Sequence, residues 1–186
     1  LENGRKKGMV VVPTGGGKTT IASTWIIKNI LDKGYNVLWL SHRIVLLQQA
    51  KENFYKYLSY INPSYNLKNL VVISYKDSSW KNVKKETNLV FCTDKTAAKN
   101  IDSIKKYTDE STKGLVLVID EAHHSISSTY IKIIKNINPY IEKSGKELIF
   151  LGLTATDFRM NPEETKQLWK LYNDKYELKD INSSDN

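Results

Sequence analysis

The sequence holds one cysteine, Cys92, so no internal disulfide can form, and a reducing, cytoplasmic setting is expected. A catalytic cysteine would want a histidine partner, whereas Cys92 follows Leu89-Val90-Phe91 and reads as a buried strand residue. No apolar run approaches the roughly 18 residues of a membrane helix, and no membrane partner is expected. Internal repeats and low-complexity tracts are absent. There is no methionine at position 1, so the chain reads as a piece of something longer. The basic start Leu1–Gly8 leads into an apolar stretch too short for a signal peptide, and that stretch runs into glycines rather than a cleavage site.

What is present fits one sizeable α/β core: 186 residues, 40% hydrophobic and 26% charged. The net charge of +8 leans weakly towards nucleic acid or another anionic surface. Short runs that are apolar nearly throughout read as strands at Met9–Pro13, Asn36–Ser41, Leu70–Ser74, Leu89–Thr93, Leu115–Asp120 and Leu148–Leu153. Helical periodicity fills the gaps at Thr19–Asp32 (stripe Ile21, Ala22, Trp25, Ile26, Ile30), Val45–Ile61 (Leu46, Ala50, Phe54, Leu58, Ile61), Asp94–Lys106 with Asp94 as cap, and Pro162–Tyr172. Lys76–Glu86 reads as a loop. The tyrosines and lysines of Phe54–Tyr60 read as a helix face with snorkelling lysines in preference to a base-stacking platform. Strands alternating with helices predict an α/β fold, a doubly wound and mostly parallel sheet.

The stretch Pro13-Thr14-Gly15-Gly16-Gly17-Lys18-Thr19-Thr20 stands at a strand-to-helix junction. Backbone N–H groups of Gly15, Gly16 and Gly17, with the helix N-terminus, form an anion nest for phosphates. Glycine lets the backbone approach the ligand and adopt positive φ. Lys18 would supply a point charge to the β and γ phosphates and Thr19 a hydroxyl to Mg²⁺, with Thr14 and Thr20 flanking. The usual first glycine of such loops is replaced by Val12. The loop alone fits a kinase, a GTPase, a transporter ATPase or a helicase.

A second feature narrows this. Asp120 and Glu121 end the apolar run Val116–Ile119, where buried carboxylates are costly unless compensated. A divalent cation and a water nucleophile would compensate them: Asp120 anchoring Mg²⁺, Glu121 orienting or deprotonating the water. His123-His124 follow, but no cysteine or further histidine lies near in sequence to complete a zinc site.

Pro13–Thr20 and Asp120-Glu121-Ala122-His123 resemble motifs I and II of superfamily 2 helicases and translocases, and Thr154-Ala155-Thr156 resembles their motif III. The resemblance spans about Gly8 to Arg159. Ser41-His42-Arg43 with Leu46-Leu47-Gln48-Gln49, the doubled histidine and Leu151–Arg159 look like the branch of restriction-enzyme motor subunits and related repair translocases. That resemblance implies a RecA-like P-loop NTPase domain using ATP and Mg²⁺. His123, Thr154 and Thr156 would couple the nucleotide to strand binding, and Arg43, Gln49 and Thr93 would lie along a nucleic-acid backbone. DNA is the implied partner ahead of RNA; an RNA helicase or a P-loop nucleotide switch or phosphotransferase are the alternatives.

Two departures stand out. Asp157 occupies the position of a proline in the family's motif III, and no adenine-recognition glutamine segment precedes motif I, so ATP over GTP comes from resemblance. Residues 1–160 are expected to be the first RecA-like domain, truncated at its N-terminus. Residues 161–186, a helix and the segment Tyr176–Ile181, are expected to lead into a second RecA-like domain, and no second phosphate-binding or arginine-rich motif follows Arg159. Arginine fingers contribute roughly 10³–10⁵ in rate in related NTPases, so this piece by itself should bind nucleotide weakly and turn it over slowly.

Overall fold

The computed structural model describes residues 7–65, 70–73, 79–156, 161–172 and 174–177, the last four through their backbone. Asp157, Phe158, Arg159, Ser74 and residues 178–186, on which some of the expectations above fall, lie outside the described residues.

Seven strands form one sheet: β1 (Lys7–Val11), β2 (Tyr35–Ser41), β3 (Leu70–Ile73), β4 (Leu89–Thr93), β5 (Gly114–Asp120), β6 (Glu147–Thr154) and β7 (Asp174–Glu177). Their order is β3-β4-β2-β5-β6-β1-β7, and every pairing is parallel. Such strands are buried on both faces, which explains why β2, β4 and β5 are buried along their whole length. Helices α1 (Lys18–Asn29) and α2 (Ile44–Ile61) cover one face. On the other lie α3 (Asp94–Lys99), α4 (Ile101–Asp109), α5 (Ser128–Lys143) and α6 (Pro162–Leu171). Cys92 is a fully buried strand residue whose thiol is pushed up to about 12, chiefly by burial.

Several elements differ from the sequence expectation. On α1 the buried positions are Ala22, Ser23, Ile26 and Ile27, and Ile21 stands 38% exposed. On α2 it is Leu47, not Leu46, that heads the buried stripe through Ala50, Phe54 and Leu58. Phe54 and Leu58 face the core, while Lys51 and Lys56 lie over the rings of Tyr55 and Tyr57. The helix expected at Asp94–Lys106 is two helices, broken at Asn100 (φ −124°, ψ 41°), whose side chain donates to Thr96 O at 2.8 Å. Its cap is Thr93, whose Oγ1 accepts from Thr96 N, and Asp94 is the first helical residue. Helix α5 was not anticipated; it buries Tyr130, Ile133, Ile137 and Ile141 and carries Pro139 in its interior. Residues 162–172 and 174–177 join the same body, with Leu168 and Tyr172 in the core and β7 paired to β1.

One glycine fixes how the pieces meet. Gly152 on β6 lies between Ile119 of β5 and Met9 of β1. A Cβ there would come within 2.7 Å of the Tyr172 ring and 2.8 Å of Ala122 Cβ, so its absence lets both pack down on β6. Both neighbours are buried and cannot swing away. Gly152→Ala is therefore expected to cost about 1–3 kcal/mol of stability. A thermal melt should show a fall of about 2–4 °C per kcal/mol for a chain of this size. An unchanged melting temperature would mean the junction is loose.

Candidate nucleotide-binding site

Functional side chains gather at the carboxyl ends of the strands, where open parallel sheets bind their ligands. Strand β6 separates β1 from β5. The loop after β1 and the acids after β5 thus stand two strand spacings apart, ~10 Å. Val12 N continues the ladder by donating to Thr154 O at 3.0 Å, and Gly16 N turns back onto Pro13 O at 2.9 Å. Val12 is buried, and its Cγ1 lies 2.5 Å from where a Cβ on Gly16 would stand, so position 16 admits glycine alone. Gly15 (φ 80°) and Gly17 (φ 86°) adopt the left-handed conformation, and Gly17 caps α1.

Helix α1 begins with no side-chain cap and no acid in its first turn. Its first free N–H groups, at Lys18, Thr19 and Thr20, precede the bond from Ile21 N to Gly17 O. An uncapped helix end behind a glycine loop is a cradle of donors shaped for an anion. Thr14, Gly15 and Gly16 are exposed and Thr19 half-buried. The Thr20 hydroxyl is turned the other way, accepting from Asn53 Nδ2 at 3.0 Å, which ties the loop to α2. Asn53 is a supporting residue that the sequence did not single out.

Opposite the loop, Lys18 Nζ stands 4.0 Å from Glu121 Oε1, its side chain 11% exposed. Asp120 is 5% exposed, and its Oδ1 accepts from Glu121 N at 3.1 Å. Burial, then the charge of Glu121, push the Asp120 carboxyl up to about 6, against the lowering effects of the Glu121 N–H and of Lys18. A desolvated carboxylate facing this anion cradle is one whose burial a hard divalent ion would compensate. Glu121 itself has φ 57°, the one non-glycine residue with positive φ among those described. Such a conformation costs of order 1–3 kcal/mol, so the surrounding structure holds Glu121 against its backbone preference.

The raised Asp120 carboxyl has a measurable consequence. Folding favours its protonated form, so this group's contribution to stability is fully present below the unfolded value near 4 and is lost as pH rises through about 6. At pH 8 the burden amounts to about 3 kcal/mol. Asp120→Asn is therefore expected to melt higher than the ligand-free parent at pH 8, and the gap should close towards pH 4. A constant gap across that range would contradict the assignment.

The histidine after the acids links the site to β6. His123 Nδ1 lies 3.0 Å from Thr154 Oγ1 and 3.4 Å from Glu121 Oε2. Thr154 is fully buried; its Oγ1 lies 2.5 Å from Thr156 O and accepts from Thr156 N at 3.1 Å. Two oxygens that close must share a proton, so the Thr154 hydroxyl donates to Thr156 O. His123 Nδ1 must then carry the proton it offers to Thr154 and Glu121. Lys18, Asp120, Glu121, His123 and Thr154 thus form one connected group.

The expected strand-contact residues are placed differently. Arg43, at the head of α2, and Gln49 are exposed. Thr93 is 8% exposed, and its hydroxyl is spent inside the domain on Thr96, donating to Oγ1 at 2.8 Å. His42, cited in the sequence only as part of the Ser41-His42-Arg43 motif, packs against His124 with ring centroids 4.8 Å apart.

Comparison with known proteins bears on the fold and the family. No curated protein matches the sequence. The fold is shared with the UvsW helicase of bacteriophage T4 (TM-score 0.63, 14% identity, 93% of this chain and 55% of that one). It is shared also with the Hef helicase domain of Pyrococcus furiosus (0.74, 19%, 96% and 36%). A third match is the helicase MrfA, solved bound to DNA (0.70, 19%, 95% and 26%). The chain therefore spans about half, or less, of the length of these structures, and at such identities the likeness is one of fold: the RecA-like domain of helicases. Residues 1–159 match the family described as type III restriction enzyme, res subunit. The chain is a member of that family.

Proposed function

We propose that this chain is the first ATP-binding lobe of an ATP-dependent DNA helicase or translocase of the restriction or repair type. The observation that carries the reading is the meeting of Lys18 with Glu121 at 4.0 Å beside the desolvated Asp120, across β6 from an uncapped glycine loop. On this reading the N–H groups of Gly15, Gly16 and Gly17 and the first turn of α1 hold the phosphates. Thr14 borders them, and Thr20 contributes its N–H while its hydroxyl braces the loop on Asn53.

Thr19 and Asp120 would hold Mg²⁺, which when bound neutralises charge on the phosphate oxygens. Glu121 aligns the attacking water and takes its proton. His123 and Thr154, with Thr156, tie that carboxylate to β6 and would couple the nucleotide to strand binding. Arg43 and Gln49 supply exposed polar contacts for a nucleic-acid backbone; the hydroxyl of Thr93 serves by holding the start of α3. DNA is preferred over RNA because the family is a restriction one and MrfA was solved on DNA.

Residues 1–160 carry this site, α6 and β7 pack onto the same sheet, and a second lobe of the parent would close the site. The 186 residues by themselves then turn ATP over slowly, short by roughly the 10³–10⁵ that an arginine finger supplies.

The experiment is single-strand DNA binding with and without a non-hydrolysable ATP analogue. A motor lobe gives affinity that falls steeply with salt and shifts by about fivefold or more with nucleotide. A nucleotide switch or phosphotransferase would bind the analogue and ignore the strand, and that result would displace this reading.

A further inference from the structure

The chain has three histidines, and all three meet. His42 follows β2, and His123 and His124 follow β5, the strand beside it. His42 and His124 lie ring to ring at 4.8 Å and 61°, and His124 and His123 at 4.2 Å and 44°. One end of this row is fastened to the nucleotide site through His123, which offers the proton on Nδ1 to Thr154 and Glu121. The other end, His42, immediately precedes Arg43 and α2, and its Nδ1 is buried without a hydrogen-bond partner.

We infer that His124 and His42 are positioning residues that carry the state of the nucleotide site across the sheet to Arg43 and the start of α2. The inference rests on the reading of the site given above. It needs an element with two arrangements, and His123 supplies one, because its single Nδ1 proton serves two oxygens. When Glu121 turns to a water at the γ-phosphate, that proton goes to Thr154 alone and the imidazole rotates. His124, in contact with that ring, moves with it, and His42 follows. The Nδ1 of His42 has no hydrogen-bond partner, so no bond at that atom resists the push. The bond between His123 and Thr154 couples the nucleotide to β6; the histidine row couples it in the opposite direction, towards β2.

Three histidines give three imidazole Cε1–H signals by NMR, so the row can be watched directly in the 186-residue chain. Addition of Mg²⁺ and a non-hydrolysable ATP analogue at constant pH should shift the His42 signal along with that of His123. His124→Ala should abolish the shift at His42 and leave that at His123. His124→Phe, which keeps a ring in the row, should restore it. The same substitutions should separate function: His124→Ala keeps nucleotide affinity unchanged but loses the effect of nucleotide on single-strand DNA affinity, and His124→Phe recovers it. A His42 signal that stays still while a fluorescent analogue reports saturation would overturn the inference and leave the nucleotide site standing. A wild-type shift at His42 in His124→Ala would overturn it equally. Failure of the analogue to bind at all would remove the reading of the site, and the inference with it.

Discussion

Lys18→Ala is expected to weaken Mg-nucleotide binding on the order of 100-fold. The side chain is 11% exposed, its amine stands 4.0 Å from Glu121 Oε1, and its charge lowers the buried Asp120 carboxyl. Truncating one partner of a buried charge-assisted contact costs about 2–5 kcal/mol, and each 1.4 kcal/mol is about tenfold in affinity. Two effects add here. The phosphates lose a cation, and the cation that holds Asp120 down disappears, so that carboxyl moves further towards its neutral form and becomes a poorer metal ligand. Lys18→Arg should rescue little, because a planar guanidinium cannot occupy the place of a compact ammonium on a short loop. Titration calorimetry with an ATP analogue measures it; affinity within a few-fold of the parent would place the phosphates elsewhere.

Glu121→Gln is expected to lower hydrolysis by about 10²–10⁴-fold, the range for a lost general base. Nucleotide affinity should hardly change, because Lys18 and the loop remain. Glu121→Gly separates chemistry from strain. It should lose the same activity, yet it frees a backbone held at φ 57°, worth about 1 kcal/mol. That should raise the melting temperature by about 2–4 °C. Single-turnover rates and melts of the two variants, side by side, test both halves. A Gly variant less stable than the Gln variant would show that Glu121 is held by favourable contacts and not against its backbone preference.

Much of this was legible in the sequence because parallel strands buried on both faces leave unbroken apolar runs. Leu89–Thr93 was found to the residue, and β2 and β5 began one residue earlier than read. The glycine loop and the acids stood out because the chemistry proposed for them demands glycine, lysine and carboxylates at fixed places. Local competition was harder to see. Thr93 and Asp94 both make good caps, and packing of Asp94 into the interior gave the role to Thr93. Pro139 hid α5, although Tyr130, Ile133, Ile137 and Ile141 mark its buried face at spacings of three and four. Proline is tolerated there because residue 139 is exposed and the helix is held by that face. The contacts of Asn53 and His42 were beyond reach, since one meets Thr20 from 33 residues away and the other meets His124 only because β2 and β5 are neighbours.

The central claim is that Lys18 and, through its metal ion, Asp120 grip the same phosphates. A double-mutant cycle of Lys18→Ala and Asp120→Asn, read as affinity for an ATP analogue in saturating Mg²⁺, tests it directly. Shared grip predicts a double variant scarcely weaker than the worse single one, with a coupling of about 1 kcal/mol or more. Losses that add to within about 0.5 kcal/mol would show two groups acting on different ligands, and would contradict the account.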